Sequence, residues 1–526
     1  MGVALFFIIP TKTRIFATIM CQFIQQKRRS LLLLICCLVV LLGAENTMAT
    51  GVFELTAGTR SAYEKIISLR FAEARTEIEA LKKSEPNNLM PYFIENYMEC
   101  ASAVLNDSED EYRRGVKNMD KRLNKLSSGD NTSPYYLYCQ AEVRLQWAVL
   151  RGRYGDYLSC ITNVKNSYSL LEENQRRFPD FVANKKSLGL LHAIVGNVPG
   201  EIKWALTGLG GMKGTIQQGV GELEELLNYA RYHPEFIFGV EAYVAYSYLQ
   251  LHLNNKNETA WKTMIEGLKD HKTNPLAMFA LANVGMRTGH NDEAIKLLEQ
   301  MPTGTQYQPF PYRYFLLGIA KLYRLDTDAN QFLQQFLNNY KGQFGIKEAY
   351  QKLAWFQLLK NDQQGYWNYI YQAKIQGITR ADTDKAADRE ANKGEMPDIQ
   401  LLKARLLFDG GYLQRAYDLI KNNETQFAKF EKTQLEYLYR MGRICHKLNK
   451  SQEAINYYSQ TIEKGAQKPW YFACNAALQL GLLYEDRKEW ANARAAYQRA
   501  VKIDTEEYSA SLHARAKAGI NRVKGK

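Results

Sequence analysis

Apolar positions recur along residues 477–504, ALQLGLLYEDRKEWANARAAYQRAVKID, with the period of an α-helix, interrupted once by the polar run EDRKE. The pattern predicts two amphipathic helices. Leu480, Gly481 and Tyr484 share a face of the first, and Ala493, Tyr497 and Ala500 share a face of the second. Gly481 and Ala493 are small where the two backbones must approach, while Tyr484 and Tyr497 fill the space beside them. A single pair of this size cannot bury its apolar face alone, so the pattern requires other pairs stacked on it.

The pattern repeats toward the amino terminus. Anchored on the residue equivalent to Gly481, it marks Ser247, Ala282, Gly318, Ala354, Ala404 and Gly442, and the steps up to Gly481 are 35, 36, 36, 50, 38 and 39 residues. The clearest copies are 280–302, with Ala282 and Ala294, and 437–464, with Gly442, Ala454 and Tyr458. Near the amino terminus, Ala62, Ala74, Ile78, Leu81 and Pro86 hold the same offsets, and Asn96 follows Ala62 by 34 residues in a degenerate second unit. A polar loop, 127–134, precedes an aromatic helix pair that ends at Pro179.

Two stretches depart from the rule. Residues 187–227 hold nine glycines (189, 196, 200, 208, 210, 211, 214, 219 and 221) between apolar helix-like runs. A phosphate-binding loop is excluded by Gly214 after Lys213 and by the lack of a preceding strand pattern. The expectation is a helical hairpin in which glycine ends helices and lets backbones pack closely. The alternative is a lipid-facing or partner-facing patch made of Ile194, Val195, Val198, Ile202, Trp204, Leu206 and Leu209. The step of 50 contains the charged stretch 379–398, which reads as a surface loop or an extra polar helix.

The expected organisation is a signal peptide at 1–49, a degenerate helical region at 50–186 and a glycine-rich hairpin at 187–233. A central repeat block at 234–378, a charged linker at 379–398 and a carboxy-terminal block at 399–526 with a capping helix follow. The leader assignment rests on Lys27, Arg28 and Arg29 ahead of the apolar run 31–44, with small residues at 47–49. That run is shorter than the about 20 residues that span a bilayer. Met20 would be a more compact start than Met1, and Ile35 before Cys36 argues against lipidation. The chain is therefore expected to be exported, periplasmic or outer-envelope associated in a Gram-negative bacterium.

Composition adds little beyond this. The 526 residues exceed one compact core, which repeats explain, and 34 Tyr with 22 Phe suit a stack whose interhelical gaps need large side chains. The formal charge is +13; the first 49 residues carry +4 of it (Lys12, Arg14, Lys27, Arg28 and Arg29 against Glu45), leaving +9 for the rest. Lys and Arg fall singly beside Glu and Asp, which argues against a nucleic-acid stripe. Cys100, Cys139, Cys160, Cys445 and Cys474 follow the leader without a C-x-x-C pair, so no zinc site or disulfide framework is expected. One bridge, such as Cys139 with Cys160, stays open. The seven histidines (192, 233, 252, 271, 290, 446 and 513) show no metal spacing, and no nucleophile elbow or catalytic cysteine setting appears. No catalytic residue, metal or cofactor is expected, although a hidden hydrolase whose groups converge only in space stays as a third reading.

The register from 234 to 504 resembles the tetratricopeptide-repeat family. The segment PDFVANKKSLGLL, continuing into GLGGMKGTIQQGVGEL, is similar to a eukaryotic repeat family linked to inclusion-body clearance and lipid homeostasis, and to secreted repeat proteins of Bacteroidetes-type bacteria. The resemblance implies an all-α, right-handed α-α solenoid that binds a protein or peptide in a concave groove lined by the first helix of each repeat. Carried over by position, the groove is expected at Arg405, Phe408, Tyr439, Arg443, His446 and Lys447, with Leu482 and Glu485 beyond. In the central block it offers Phe279, Phe315, Ile319, Tyr323 and Trp355. The cations and tyrosine suit an acidic or carboxylate-ended peptide, whereas the Lys/Asn pattern of the chaperone-binding carboxylate clamp is absent. The same positions also read as an ordinary solvated face. Function is thus expected to be non-enzymatic partner binding, with an envelope-lipid-associated module as the alternative.

Overall fold

Small residues on the inner side of each first helix set the architecture. Ala282, Ala354 and Ala404 are fully buried, Ser247 likewise, and Gly318, Gly442 and Gly481 sit where a larger side chain has no room. A β-carbon on Gly481 would lie 2.5 Å from the Tyr497 ring, and one on Gly442 would lie 2.6 Å from the Tyr458 ring. Three pairs therefore close as a glycine on one helix against an aromatic or leucine on the next, Gly318 on Leu333, Gly442 on Tyr458 and Gly481 on Tyr497, which is the contact the sequence pattern requires.

The computed structural model describes residues 50–197, 211–268 and 273–526. Within them are 25 helices and no strand, only isolated bridges joining Gly51 to Gly129 and Val52 to Asn88. Twenty-two of the helices form eleven sequential antiparallel pairs, from Ala57–Ile67 with Phe71–Ser84 to Phe472–Asp486 with Trp490–Lys502. Helix Ser509–Arg522 caps the last pair by packing on both of its helices. The result is an all-α solenoid of stacked helix pairs.

Winding brings distant pairs together. Asp107 ends helix Met90–Asn106 in the left-handed conformation, and its Oδ2 accepts from the backbone N–H of Gln343 at 2.8 Å and Phe344 at 3.2 Å. Arg153 pairs with Asp107 at 3.1 Å, lies 4.2 Å from the Phe344 ring centroid and donates to the Tyr312 hydroxyl at 3.2 Å. Leu69 also accepts from the Gln308 N–H at 2.6 Å. The first three pairs thus lean on the seventh and eighth.

A buried ionic cluster joins the first half. Lys186 lies 2.9 Å from Glu142 and 3.1 Å from Glu241, all three buried, while Tyr97 accepts from Lys186 and Tyr63 donates to Glu241. Burial opposes the Glu241 charge, but Lys186 and the Tyr63 hydroxyl more than offset it and hold that carboxyl down at about 2. Five residues from five helices converge here, so the cluster fixes how those helices sit.

The charged stretch 379–398 is not a linker: it contains helix Asp382–Lys393, packed on Ile346–Leu359 and Gln363–Ile375. It buries only Ala387 and Ala391 as apolar side chains, and the rest of its hold is polar. Asp384 accepts from the N–H of Gly345 at 2.8 Å and Glu348 at 3.1 Å, and Glu390 accepts from Trp355 Nε1 at 2.8 Å and Gln351 Nε2 at 2.6 Å. In the glycine-rich region, helices Asn184–Asn197 and Ile216–Tyr232 do form a tight hairpin, where a β-carbon on Gly219 would overlap the Gly189 carbonyl oxygen. Val198, Ile202, Trp204, Leu206 and Leu209 of the apolar-patch reading, and the whole 1–49 leader, lie outside the described residues. Cys100, Cys139, Cys160, Cys445 and Cys474 are free thiols, so the bridge left open between Cys139 and Cys160 is not formed; Cys139 instead faces Met90 in the core.

Candidate partner-binding groove

In the carboxy-terminal block, helices Ile399–Asp409, Glu431–Lys447, Phe472–Asp486 and Ser509–Arg522 stand side by side, each touching the next. Their shared face carries the expected groove residues. Arg405 projects over the Trp355 ring at 4.7 Å, with Asp409 at 3.7 Å from its Nε, and its side chain stays 41% exposed. Arg443 lies 4.3 Å from the Phe408 ring and 5.9 Å from the Tyr439 ring. The planar guanidiniums are thus spread on aromatic faces, an arrangement that keeps their N–H edges available.

The electrostatics follow from this crowding. Burial works against the Arg405 charge, but Asp409, Tyr471, Glu390 and Glu436 more than offset it and raise its pKa. Lys352, whose ammonium lies 3.8 Å from the same Trp355 ring, is pulled down by burial and by Arg405, against Glu348, Glu390 and Asp409. His446 is held at about 4 by burial, Lys447 and Arg443, so it is neutral at pH 7. Lys447 is exposed.

Two expected groove residues have other duties. Tyr439 is buried, and its hydroxyl accepts from Asn475 Nδ2 at 2.6 Å; it forms the floor beneath Arg443 and offers little free surface. Glu485 is held by Arg522 at 2.8 Å and by the Tyr497 hydroxyl at 2.5 Å, which removes it as a groove anion. In the central block Ile319 and Trp355 are buried, whereas Phe279, Phe315 and Tyr323 are half-buried.

Residues 439–508 match the tetratricopeptide-repeat family. Residues 439–508 are thus tetratricopeptide repeats. The matched stretch holds both glycine-on-tyrosine contacts described above, Gly442 on Tyr458 and Gly481 on Tyr497. No curated protein matches the chain. Among solved structures it is similar to the crystal structure of the P58(IPK) TPR domain, at 12% identity over 83% of this chain and 99% of that one, with a TM-score of 0.20. So loose a superposition transfers no residue.

One residue of this tetratricopeptide-repeat groove escaped the position rule. Arg515, on the capping helix, has much of its surface exposed, and partial burial together with the charges of Arg443 and Arg522 lowers its pKa against Tyr439 and Tyr497. The basic tail 515–526 reads in sequence as simply water-facing. Instead Arg522 clamps Glu485 and Lys526 lies over Trp490, while Arg515 is near enough to Arg443 and Tyr439 to feel their charges. No repeat offset marks Arg515, because the capping helix has no following partner to define its register.

One end of the groove is closed. Tyr471 meets Tyr439 at 5.8 Å and Tyr508 at 5.3 Å edge to face, Arg389 lies 4.8 Å from the Tyr508 ring, and Lys393 pairs with Glu507. The packed helix 382–393 and the loop before the capping helix thereby shut that end. Among the described residues, Arg443 and Arg515 have no hydrogen-bond or ion-pair partner, whereas Asp409 already faces Arg405. The groove holds more positive than negative charge.

Proposed function

We propose that this chain is an exported, non-enzymatic scaffold that binds an acidic segment of a partner protein along the inner face of its carboxy-terminal repeats. Tetratricopeptide repeats generally bind proteins or peptides, which supports a scaffold role in its broad form. The observation that carries the finer reading is the pair Arg443 and Arg515, two guanidiniums with no ion-pair partner among the described residues, with Arg443 lying on the rings of Phe408 and Tyr439. A carboxylate placed between them gains charge-assisted, bidentate bonds, and the aromatic wall accepts the apolar parts of the same peptide. Export rests on the leader pattern of basic residues, apolar run and small residues.

Fluorescence anisotropy with glutamate-rich, neutral and lysine-rich peptides tests the groove. The acidic peptide is expected to bind best and to weaken with salt, and Arg443→Glu with Arg515→Glu is expected to lower its affinity by about tenfold or more, about 1.4 kcal/mol. Equal binding of the three peptides, or no change in the double variant with its helical spectrum intact, overturns the reading. Cell fractionation with amino-terminal sequencing tests export: cytoplasmic protein retaining residues 31–44 refutes it.

A further inference from the structure

The outer face of the solenoid changes character at the seventh and eighth pairs. Their second helices, Ala329–Asn339 and Gln363–Ile375, have 11 and 13 residues and one charged side chain between them, Lys374, in a chain of which 23% is charged. The outer helix before them, Asn291–Glu299, carries Asp292, Glu293, Lys296 and Glu299, and helix 382–393 after them is charged along its length. The gap is local.

What replaces charge is amide and aromatic surface. Gln331, Gln334, Gln335 and Asn338 are exposed on one helix, and Gln364 and Asn368 on the other. Along the second runs a stripe of Trp367, Tyr371 and Ile375, spaced four apart and 37%, 59% and 51% exposed. These three are among the most exposed large apolar side chains of the described residues, and they lie on one face of one helix. Both helices pack against Ile346–Leu359.

The charge balance selects the occupant. Beyond the leader the formal charge is +9, so two copies of this chain repel when cationic faces approach, and a face with one lysine lowers that cost. Side-chain amides donate and accept, so a face rich in Gln and Asn complements itself under a two-fold rotation, as a lysine-bearing face does not. An anionic membrane would need a cationic rim around the aromatic stripe, and this face has a single lysine. We propose that Ala329–Asn339 and Gln363–Ile375 pack against the same helices of a second copy, with Trp367, Tyr371 and Ile375 at the centre of a two-fold contact. Two helices about 20 Å long give a face at the low end of stable interfaces, so the dimer dissociates on the order of micromolar concentrations.

Sedimentation velocity of the purified full chain between about 1 and about 100 µM reads this directly. The expected result is a shift from one chain mass to two, and a Trp367→Glu, Tyr371→Glu variant that stays at one mass throughout with an unchanged melting temperature. Gln335→Lys alone is expected to weaken the dimer by about tenfold through like charge brought face to face. A single mass at every concentration, or a dimer equally strong in the double variant, overturns the proposal. So does Trp367-dependent flotation on phosphatidylcholine vesicles by protein that stays monomeric, which makes the stripe a lipid contact. The double variant keeps its affinity for acidic peptide, so failure here and failure of the groove are distinguishable.

Discussion

At the scale of single residues, the contact that organises the molecule is a glycine facing a tyrosine. The Tyr497 ring is packed between Gly481 and Gly519, so any added atom at Gly481 meets ring carbons that have nowhere to move. Gly481→Val is expected to destabilise the chain by about 1–3 kcal/mol through overpacking, read as a lower urea midpoint, whereas exposed Lys488→Ala has an effect within about 0.5 kcal/mol. Two other residues give opposite pH effects. His446 titrates near 4 folded against an ordinary 6.5, so its contribution is complete above about 6.5 and is lost as pH falls toward 4. Burial raises Asp384 to about 6 from 3.8, despite its backbone hydrogen bonds, so its contribution is complete below about 3.8 and is lost as pH rises through 6. Between pH 6.5 and 4, His446→Asn is therefore expected to lose less stability than the parent chain, and Asp384→Asn more, in urea titrations at each pH.

At the scale of helices, legibility tracked how each element is buried. The anchors from Ser247 to Gly481 all fall in first helices and all face inward, because that contact demands a small residue and a small residue is visible in a sequence. Helix 382–393 is held differently. Its buried residues are Asp384, Ala387 and Ala391, and its bonds come from carboxylates, so hydrophobic periodicity cannot distinguish it from a solvated linker. The degenerate second pair is similar: Asn96 takes the anchor place but accepts from Arg122 at 2.9 Å and Trp147 Nε1 at 2.8 Å, substituting a polar knot for close packing. Groove positions on repeat helices were legible as positions, whereas the burial of Tyr439 and the nearness of Arg515 to Arg443 depend on neighbours the register does not specify. Glu390 ties the extra helix to the groove wall. Glu390→Ala leaves the Trp355 and Gln351 donors without their acceptor, while the Tyr366 hydroxyl keeps the Glu395 carbonyl, which is expected to cost about 1–3 kcal/mol in a urea titration and to weaken acidic-peptide binding by letting Trp355 shift beneath Arg405.

At the scale of the whole molecule, charge is apportioned by face: guanidiniums inside the carboxy-terminal groove, mixed ion pairs over most of the outside, and a neutral panel at the seventh and eighth pairs. None of this is visible in net charge, which averages the faces. The winding also departs from simple stacking, since the clasp joins Asp107 to the N–H groups of Gln343 and Phe344, 236 and 237 positions away. Asp107→Ala removes the acceptor for both amides and the partner of buried Arg153. Hydrogen exchange in helices 57–67, 90–106 and 134–153 is expected to quicken by about tenfold or more, with little change in 431–502.

The loop at 343–348 thus has an importance out of proportion to its length. Four of its backbone amides are spoken for by two aspartates, Asp107 from the first half of the chain and Asp384 from the inserted helix, and that helix in turn meets the loop before the capping helix through Arg389 and Lys393. A stack joined only through nearest neighbours peels open from its tips. Here both tips are moored to the same stretch amidships, so neither offers a loose end from which peeling starts, and heat or denaturant must breach that mooring before the rest unravels.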